Sequence, residues 1–385
     1  MGYKMFLTKG IKKIFPFILI VISLCICISC EKEKEFTISG QITGIADSTV
    51  VNLQNISTGE YLDSSWVIHG KFTFKGQLTD EPEELRIISG RKELEKGILF
   101  YTDLLMGNED VQVHGDISDL PLNVTTTGSA TQDEAENYRK QLHAWNVKLD
   151  SLKNHFQSFP DSVDTIEKKE IEKRLKEVKN ALENWKVNFV KENFNSYIGL
   201  LMYNYRRDFN IDTLKRLFNS VSEELKQSKY GKAIATQINY PKPQIGDEYY
   251  DFEAINAKGI PSKLSATGDQ YILLQFAGTG CYGSSLAVQK IKTIYERYKD
   301  SVSFVSYFID DKKATWLSTT EKDSIMWLSL WNEGGRYSEV YNKYGLTGTP
   351  TFFLISPYKK VISTWFGYEE GMFEKEIHKA LGKQE

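Results

Sequence analysis

Cysteine is scarce in this sequence: there are four in 385 residues, and three of them (Cys25, Cys27 and Cys30) fall within the first thirty. Cys281 stands alone through the rest of the chain. That excludes a body stapled by its own disulfides, because the body holds no second cysteine. Histidine is also sparse, at five residues. His69 and His114 are isolated and read as structural or solvated positions. No metal-ligand constellation accompanies them, and neither a metal nor a cofactor is expected. A large excess of either charge is missing too: 48 basic residues face 51 acidic ones, for a net charge of -3. This sets aside nucleic acid and other polyanions as partners. The apolar run from Ile14 to Ile28, broken by Pro16 and Ser23, is short of the roughly 20 residues that a membrane-spanning helix needs.

That run is nevertheless flanked in an informative way. Lys4, Lys9, Lys12 and Lys13 precede it, and the charged run Glu31-Lys-Glu-Lys-Glu35 follows. Basic-then-apolar order is the pattern of a secretory signal. Cys30 has the small residue Ser29 before it, and the segment resembles a bacterial lipoprotein signal, although Cys27 stands where that signal usually has Leu, Val or Ile. The resemblance implies that residues 1–30 form the signal region, with Cys30 lipidated and the body anchored to a bacterial membrane in the cell envelope. The charged run then reads as a solvated tether or as an export signal toward the cell surface. With Cys25 and Cys27 removed and Cys30 lipidated, Cys281 is the sole free thiol. In an oxidising compartment such a thiol is either buried and inert or available to another molecule's sulfur.

The chain is long enough for two or three domains of roughly 100 to 200 residues. Residues 31–130 carry short alternating runs such as Phe36-Thr-Ile-Ser-Gly-Gln-Ile and Lys71-Phe-Thr-Phe-Lys, separated by turn residues. They predict an antiparallel β sandwich or barrel. Residues 131–240 change period. Tyr138, Leu142, Trp145, Leu149, Leu152 and Phe156 form one narrow apolar stripe, and Ile171, Leu175, Val178, Leu182, Trp185 and Phe189 form another. Two charged helices with such stripes, joined through Phe159-Pro-Asp-Ser-Val-Asp, predict an antiparallel hairpin within a helical spacer; a dimer interface is the alternative use of the stripes. Further helices are expected from Ser196 to Arg206 and from Asp212 to about Ile238. From residue 243 to 385 strands and helices alternate. Tyr271-Ile-Leu-Leu-Gln-Phe and Ser301 to Ile309 read as strands, Ser284 to Tyr298 and Asp323 to Leu330 as helices, and Thr351-Phe-Phe-Leu-Ile as a later strand, so a mixed α/β sheet is expected. The whole is a multidomain α+β chain.

Within the last region a buried strand runs into Ala277-Gly-Thr-Gly-Cys281-Tyr-Gly-Ser284, a helix follows, and Thr349-Pro350-Thr-Phe-Phe-Leu opens a later strand. These features, with Pro243-Gln-Ile-Gly-Asp at the entry and Lys360-Val-Ile-Ser-Thr-Trp-Phe-Gly near the end, resemble the thioredoxin superfamily, in particular the TlpA- and ResA-like thiol:disulfide oxidoreductases of bacterial envelopes. Likewise the run Tyr61 to Gly76 resembles a small β domain of unknown function that precedes thioredoxin-like domains in envelope lipoproteins. The family pattern at the active turn is Trp-Ala-x-Trp-Cys-x-x-Cys. By that resemblance Cys281 falls on the nucleophile, Ser284 on the second cysteine, Gly280 on the preceding tryptophan and Gln275 on a buried proton-transfer position. It also makes Pro350 a cis proline opposite the thiol, with Thr349 and Tyr282 as substrate-binding neighbours.

A thiol at the first turn of a helix meets free N–H groups and the positive end of the helix dipole, both of which favour thiolate. Ser284 cannot expel a product as a second thiol would. The expectation is therefore monothiol exchange with protein or small-molecule thiols and disulfides. A catalytically silent binding lipoprotein that docks through the thioredoxin-like fold and the β domain, with Trp316, Trp327, Trp331 and nearby tyrosines as one such surface, is the alternative. A one-cysteine peroxidase is a third reading; it is weakened because Gly278, not a threonine, stands three residues before Cys281. The oligomeric state is left open.

Overall fold

The computed structural model describes residues 34–79, 81–122, 124–160 and 165–382. The signal-like segment, Cys30 and the hairpin tip at 161–164 lie outside the described residues. Residues Phe36–Glu385 form one compact unit.

Eight strands build the first layer pair: β1 (Phe36–Thr43), β2 (Val50–Asn55), β3 (Tyr61–Trp66), β4 (Lys71–Gly76), β5 (Glu83–Ser89), β6 (Tyr101–Met106), β7 (Asp110–Asp116) and β8 (Thr125–Thr127), with the short helix α1 (Arg91–Glu95) between β5 and β6. They pair as two four-stranded sheets, β4-β1-β7-β8 and β3-β2-β5-β6. The inward residues alternate along each strand, as a half-buried sheet requires: Phe36, Ile38, Phe72, Phe74, Val111 and Val113 from one sheet meet Val51, Leu53, Leu85, Ile87, Leu104 and Met106 from the other. The sandwich is antiparallel except for the β1–β7 pair, which runs parallel.

The helical layer follows: α2 (Ala130–Gln157), α3 (Ile166–Glu192), α4 (Tyr197–Arg206), α5 (Ile211–Asn219), α6 (Glu223–Gln227) and α7 (Lys229–Asn239). Every one begins at Ser, Thr or Asn, and in each case that side-chain oxygen accepts a first-turn N–H. The caps stop one helix and start the next, so the stretch expected as one helix from Asp212 to Ile238 is three. The two stripes face each other between α2 and α3, where Leu149, Leu152, Ile171, Leu175, Val178 and Leu182 are buried. Tyr138 stacks on Trp185 at 5.5 Å.

The third part holds β9 (Glu253–Asn256), β10 (Pro261–Lys263), β11 (Tyr271–Ala277), α8 (Tyr282–Tyr298), β12 (Val302–Phe308), α9 (Lys313–Lys322), β13 (Leu328–Trp331), α10 (Glu339–Lys343), β14 (Thr351–Ile355), β15 (Val361–Phe366) and α11 (Met372–Ala380). Its seven strands lie in the order β10-β9-β13-β12-β11-β14-β15, with the three central ones, β13, β12 and β11, parallel to one another. The sequence expectation of a helix over Asp323–Leu330 fails. The helix ends at Lys322, and Leu328–Trp331 pairs with β12 as a strand. Short apolar runs do not distinguish a buried strand from a buried helix by period. A tryptophan docking surface fails as well, because Trp316, Trp327 and Trp331 are all buried. Among the described residues no helix is long and apolar enough to cross a membrane.

The helical layer bonds to both flanking parts. Lys229 meets Glu83 at 2.6 Å, and the Tyr230 hydroxyl donates to the Pro82 carbonyl at 3.0 Å. On the other side Arg207 donates to the Leu346 and Arg336 carbonyls at 2.9 and 3.2 Å.

Candidate functional site

β11 occupies the centre of the third sheet, hydrogen-bonded to parallel β12 on one side and antiparallel β14 on the other. Because β14 runs antiparallel, its first residues lie beside the last residues of β11, with Thr351 paired to Phe276. Sheet topology thus brings Thr349 and Pro350 to the turn that carries Cys281, although 68 residues separate Cys281 from Thr349 in sequence. The Thr349–Pro350 peptide bond is cis, as the family resemblance implies.

The turn from strand to helix is held at several points. Gly278 N–H donates to Ser284 Oγ at 3.3 Å. Thr279 gives both its donors to Asp310: its N–H lies 3.1 Å and its hydroxyl 2.9 Å from the carboxylate. Thr319 of α9 lies 3.1 Å from the same hydroxyl. Gly280 has φ +78°, a conformation in which any side chain is strained, and space is open where its Cβ would be. A glycine fits this turn, and its lack of a side chain leaves room beside the thiol. Gly283 lies close to the proline ring, since a Cβ there would sit 3.0 Å from Pro350 Cδ.

Cys281 is the residue before α8, the place that Ser, Thr or Asn fills in the helical layer. A sulfur sits where those helices have an oxygen. The thiol donates to the Thr349 carbonyl at 3.3 Å. Burial pushes its pKa up, but hydrogen bonds from the Ser284 side chain and backbone, the Thr349 side chain and the Gly283 N–H favour the thiolate, and together they hold it below the ordinary value of 9.0. These are the free donors of a helix N-terminus acting on an anion.

Behind the turn runs a buried polar chain. Trp327 Nε1–H donates to Ser306 Oγ at 2.9 Å, Ser306 donates to Gln275 Oε1 at 3.0 Å, and Gln275 Nε2 reaches the Ser284 carbonyl at 3.5 Å. All three side chains are satisfied, which a buried amide requires. Gln275 carries no proton that it can exchange near neutral pH, so the chain steadies the first turn of α8 rather than titrating.

Of the residues singled out in sequence, Cys281, Ser284, Thr349 and Pro350 converge at the end of β11. Ser284 is buried, and Tyr282 is exposed at 77%. Sequence reasoning missed Asp310, Thr319 and Ser306. Asp310 lies two residues past the end of β12 and is brought to Thr279 by the parallel β11–β12 pairing. Its available signal was a pair of acids, Asp310 and Asp311, at the end of a buried strand. Among the described residues no group of three or more His, Cys, Asp or Glu side chains is placed to hold a metal.

Two family models match the chain: a domain of unknown function over residues 36–135 and a thioredoxin-like family over residues 268–361. No curated protein matches it. Solved structures similar to it include the thioredoxin domain of a thiol-disulfide oxidoreductase from Bacteroides vulgatus, 18% identical, covering 36% of this chain and 98% of that one, with a TM-score of 0.33. A thiol-disulfide oxidoreductase from Bacteroides fragilis is 22% identical, covering 34% of this chain and 98% of its own, with a TM-score of 0.32. A thiol:disulfide interchange protein from a Bacteroides species is 18% identical, covering 37% and 93%, with a TM-score of 0.34. The thiol at the start of α8, the cis proline and most strands of the third sheet lie in the segment that matches the thioredoxin-like family model, and the segment that matches the domain of unknown function precedes it.

Proposed function

We propose that the protein is a monothiol member of the thiol:disulfide exchange enzymes, working at a bacterial cell envelope. The observation that carries this reading is the position of Cys281. Its sulfur occupies the cap of a 17-residue helix, its thiolate is favoured, and it borders both the Thr349 carbonyl and an open cleft. An inert structural cysteine has no need of a depressed pKa and a path to solvent.

In the proposed reaction the Cys281 thiolate attacks one sulfur of a disulfide R–S–S–R′. The S–S bond breaks as the Cys281–S–S–R bond forms, and R′–S⁻ leaves to take a proton from solvent. Ser284 has only a hydroxyl, so the mixed disulfide waits for an external thiolate. Attack by that thiolate at the R sulfur restores Cys281–S⁻ and carries R away in a new disulfide. Pro350 and Thr349 offer the side on which a substrate chain lies, and Tyr282 is exposed at the start of α8 for contact with the substrate. Ser284 acts here as a turn holder and thiolate donor.

The test is a small aromatic disulfide given to the soluble body. A stable adduct on Cys281, absent in Cys281→Ala and released only by an added thiol, is the expected outcome. Labelling no faster than an unstructured cysteine would sink the reading. The envelope assignment rests on the signal-like residues 1–30, with Cys30 as the lipid-bearing residue and partners limited to thiols and disulfides of that compartment. It is checked by fatty-acid incorporation, which Cys30→Ala abolishes if the assignment holds.

A further inference from the structure

One cleft meets the thiol away from the cis proline. It has a volume of about 300 Å³ and is bordered by Gly280 and Cys281 on the active turn, Phe308 beneath, and Thr319, Lys322 and Asp323 at the end of α9. That size is at the small end of ligand pockets. The floor is apolar, since Phe308 is 1% exposed, and the open space over Gly280 adds to the room. Two opposite charges, Lys322 and Asp323, stand side by side at the mouth. Neither takes part in an ion pair among the described residues, whereas other surface charges of the same domain, such as Lys290 with Glu374 and Lys343 with Glu339, are paired.

We infer that this cleft is a subsite for a small zwitterionic amino-acid thiol or its disulfide, with cystine as the simplest member. The inference rests on the exchange reading of Cys281. In such a molecule an ammonium and a carboxylate both lie close to the sulfur, and the cleft offers one opposite charge for each beside a reactive sulfur. The cleft is bounded by the helix end and takes a small molecule rather than a long polypeptide. With cystine the Cys281 thiolate attacks one sulfur, the S–S bond breaks, a Cys281–S–S–cysteine bond forms and cysteine thiolate leaves. A second cysteine thiolate reverses the step. No other oxidant or reductant is needed, and the missing second cysteine of the protein is replaced by a second small thiol.

The experiment compares cystine with the neutral hydroxyethyl disulfide on the soluble body. Each rate is divided by that of a free cysteine derivative with the same reagent, and Cys281 adducts are read by mass. The normalised rate for cystine is expected to exceed that for the neutral reagent by about tenfold, the size that two partly exposed ion pairs supply. In the double variant Lys322→Gln, Asp323→Asn the ratio is expected to fall to about one. Equal normalised rates in the wild type, with Cys281 reacting normally, overturn the subsite and leave the exchange function standing. A preference that persists in the double variant also overturns it. If no reagent gives an adduct, the exchange function itself fails, and the subsite with it.

Discussion

At Cys281 a sulfur stands where six helices of the helical layer carry a capping oxygen, and the chemistry proposed for the site follows from that exchange. The first-turn N–H groups that a serine oxygen would satisfy are left to stabilise a thiolate. Ser284, buried one turn into α8, supports the same anion and also accepts from Gly278. Replacing it by cysteine is expected to convert the mechanism: in Ser284→Cys the two sulfurs share the first helical turn, so a mixed disulfide resolves internally. The check is release of a bound aromatic thiol without added thiol, which the wild type is expected not to show. Thr279 is a positioning residue. Thr279→Val removes the hydroxyl bond to Asp310 but keeps the N–H bond, and is expected to lower stability by about 1 kcal/mol in denaturant unfolding. Asp310→Ala frees both Thr279 donors and is expected to lower the exchange rate several-fold through displacement of the turn. A shift in the rate without a matching change in overall stability separates that role from a general loss of fold.

At the scale of elements, the hairpin of α2 and α3 packs around its own apolar cluster, distinct from those on either face of β11. Leu182 is buried between the two helices at 5% exposure, and Leu182→Ala is expected to cost about 2–4 kcal/mol. Hydrogen exchange should quicken in α2 and α3 while Cys281 labelling stays as in the wild type. Much of this layer was legible in sequence because an apolar stripe repeating every three or four residues dictates a helical face. The convergence of Cys281, Ser284 and Pro350 was legible for another reason: a cysteine before a helix and a Thr-Pro step before a strand are local signals of backbone shape. What remained hidden was set by pairing between distant elements. Leu328–Trp331 is a strand because β12 offers it a parallel edge, and no periodicity in so short a run could say so. Asp310 matters because β12 lies beside β11. The parallel β1–β7 pair within an otherwise antiparallel sandwich is of the same kind, since strand direction across a long connection leaves no mark in the alternation of either strand.

At the scale of the molecule, the three layers meet near the residues that follow β12. Lys312 reaches Glu60 of the sandwich at 3.3 Å, and Asp311 crowds Gly335, where a Cβ would fall 2.2 Å from its Oδ1. Burial pushes the Asp311 carboxyl up from 3.8 to about 6, against the pull of Lys229 and Arg336. An acid with a raised folded pKa binds more protons in the folded state than in the unfolded one between these two values, so its contribution to stability falls as pH rises from 3.8 to about 6. Asp311→Asn is therefore expected to flatten the fall in melting temperature over that window and to leave the variant more stable than the wild type at neutral pH. Cys281 works in the opposite sense: its folded pKa is lowered, so its stabilising contribution is present above 9.0 and is lost as pH falls through the folded value. The most direct measurement of the central claim, that the fold makes this single thiol reactive, is the pH dependence of Cys281 alkylation in the folded and the denatured soluble body. The expected result is a midpoint for the folded protein clearly below that of the denatured chain. A folded midpoint equal to or above the denatured one would contradict it.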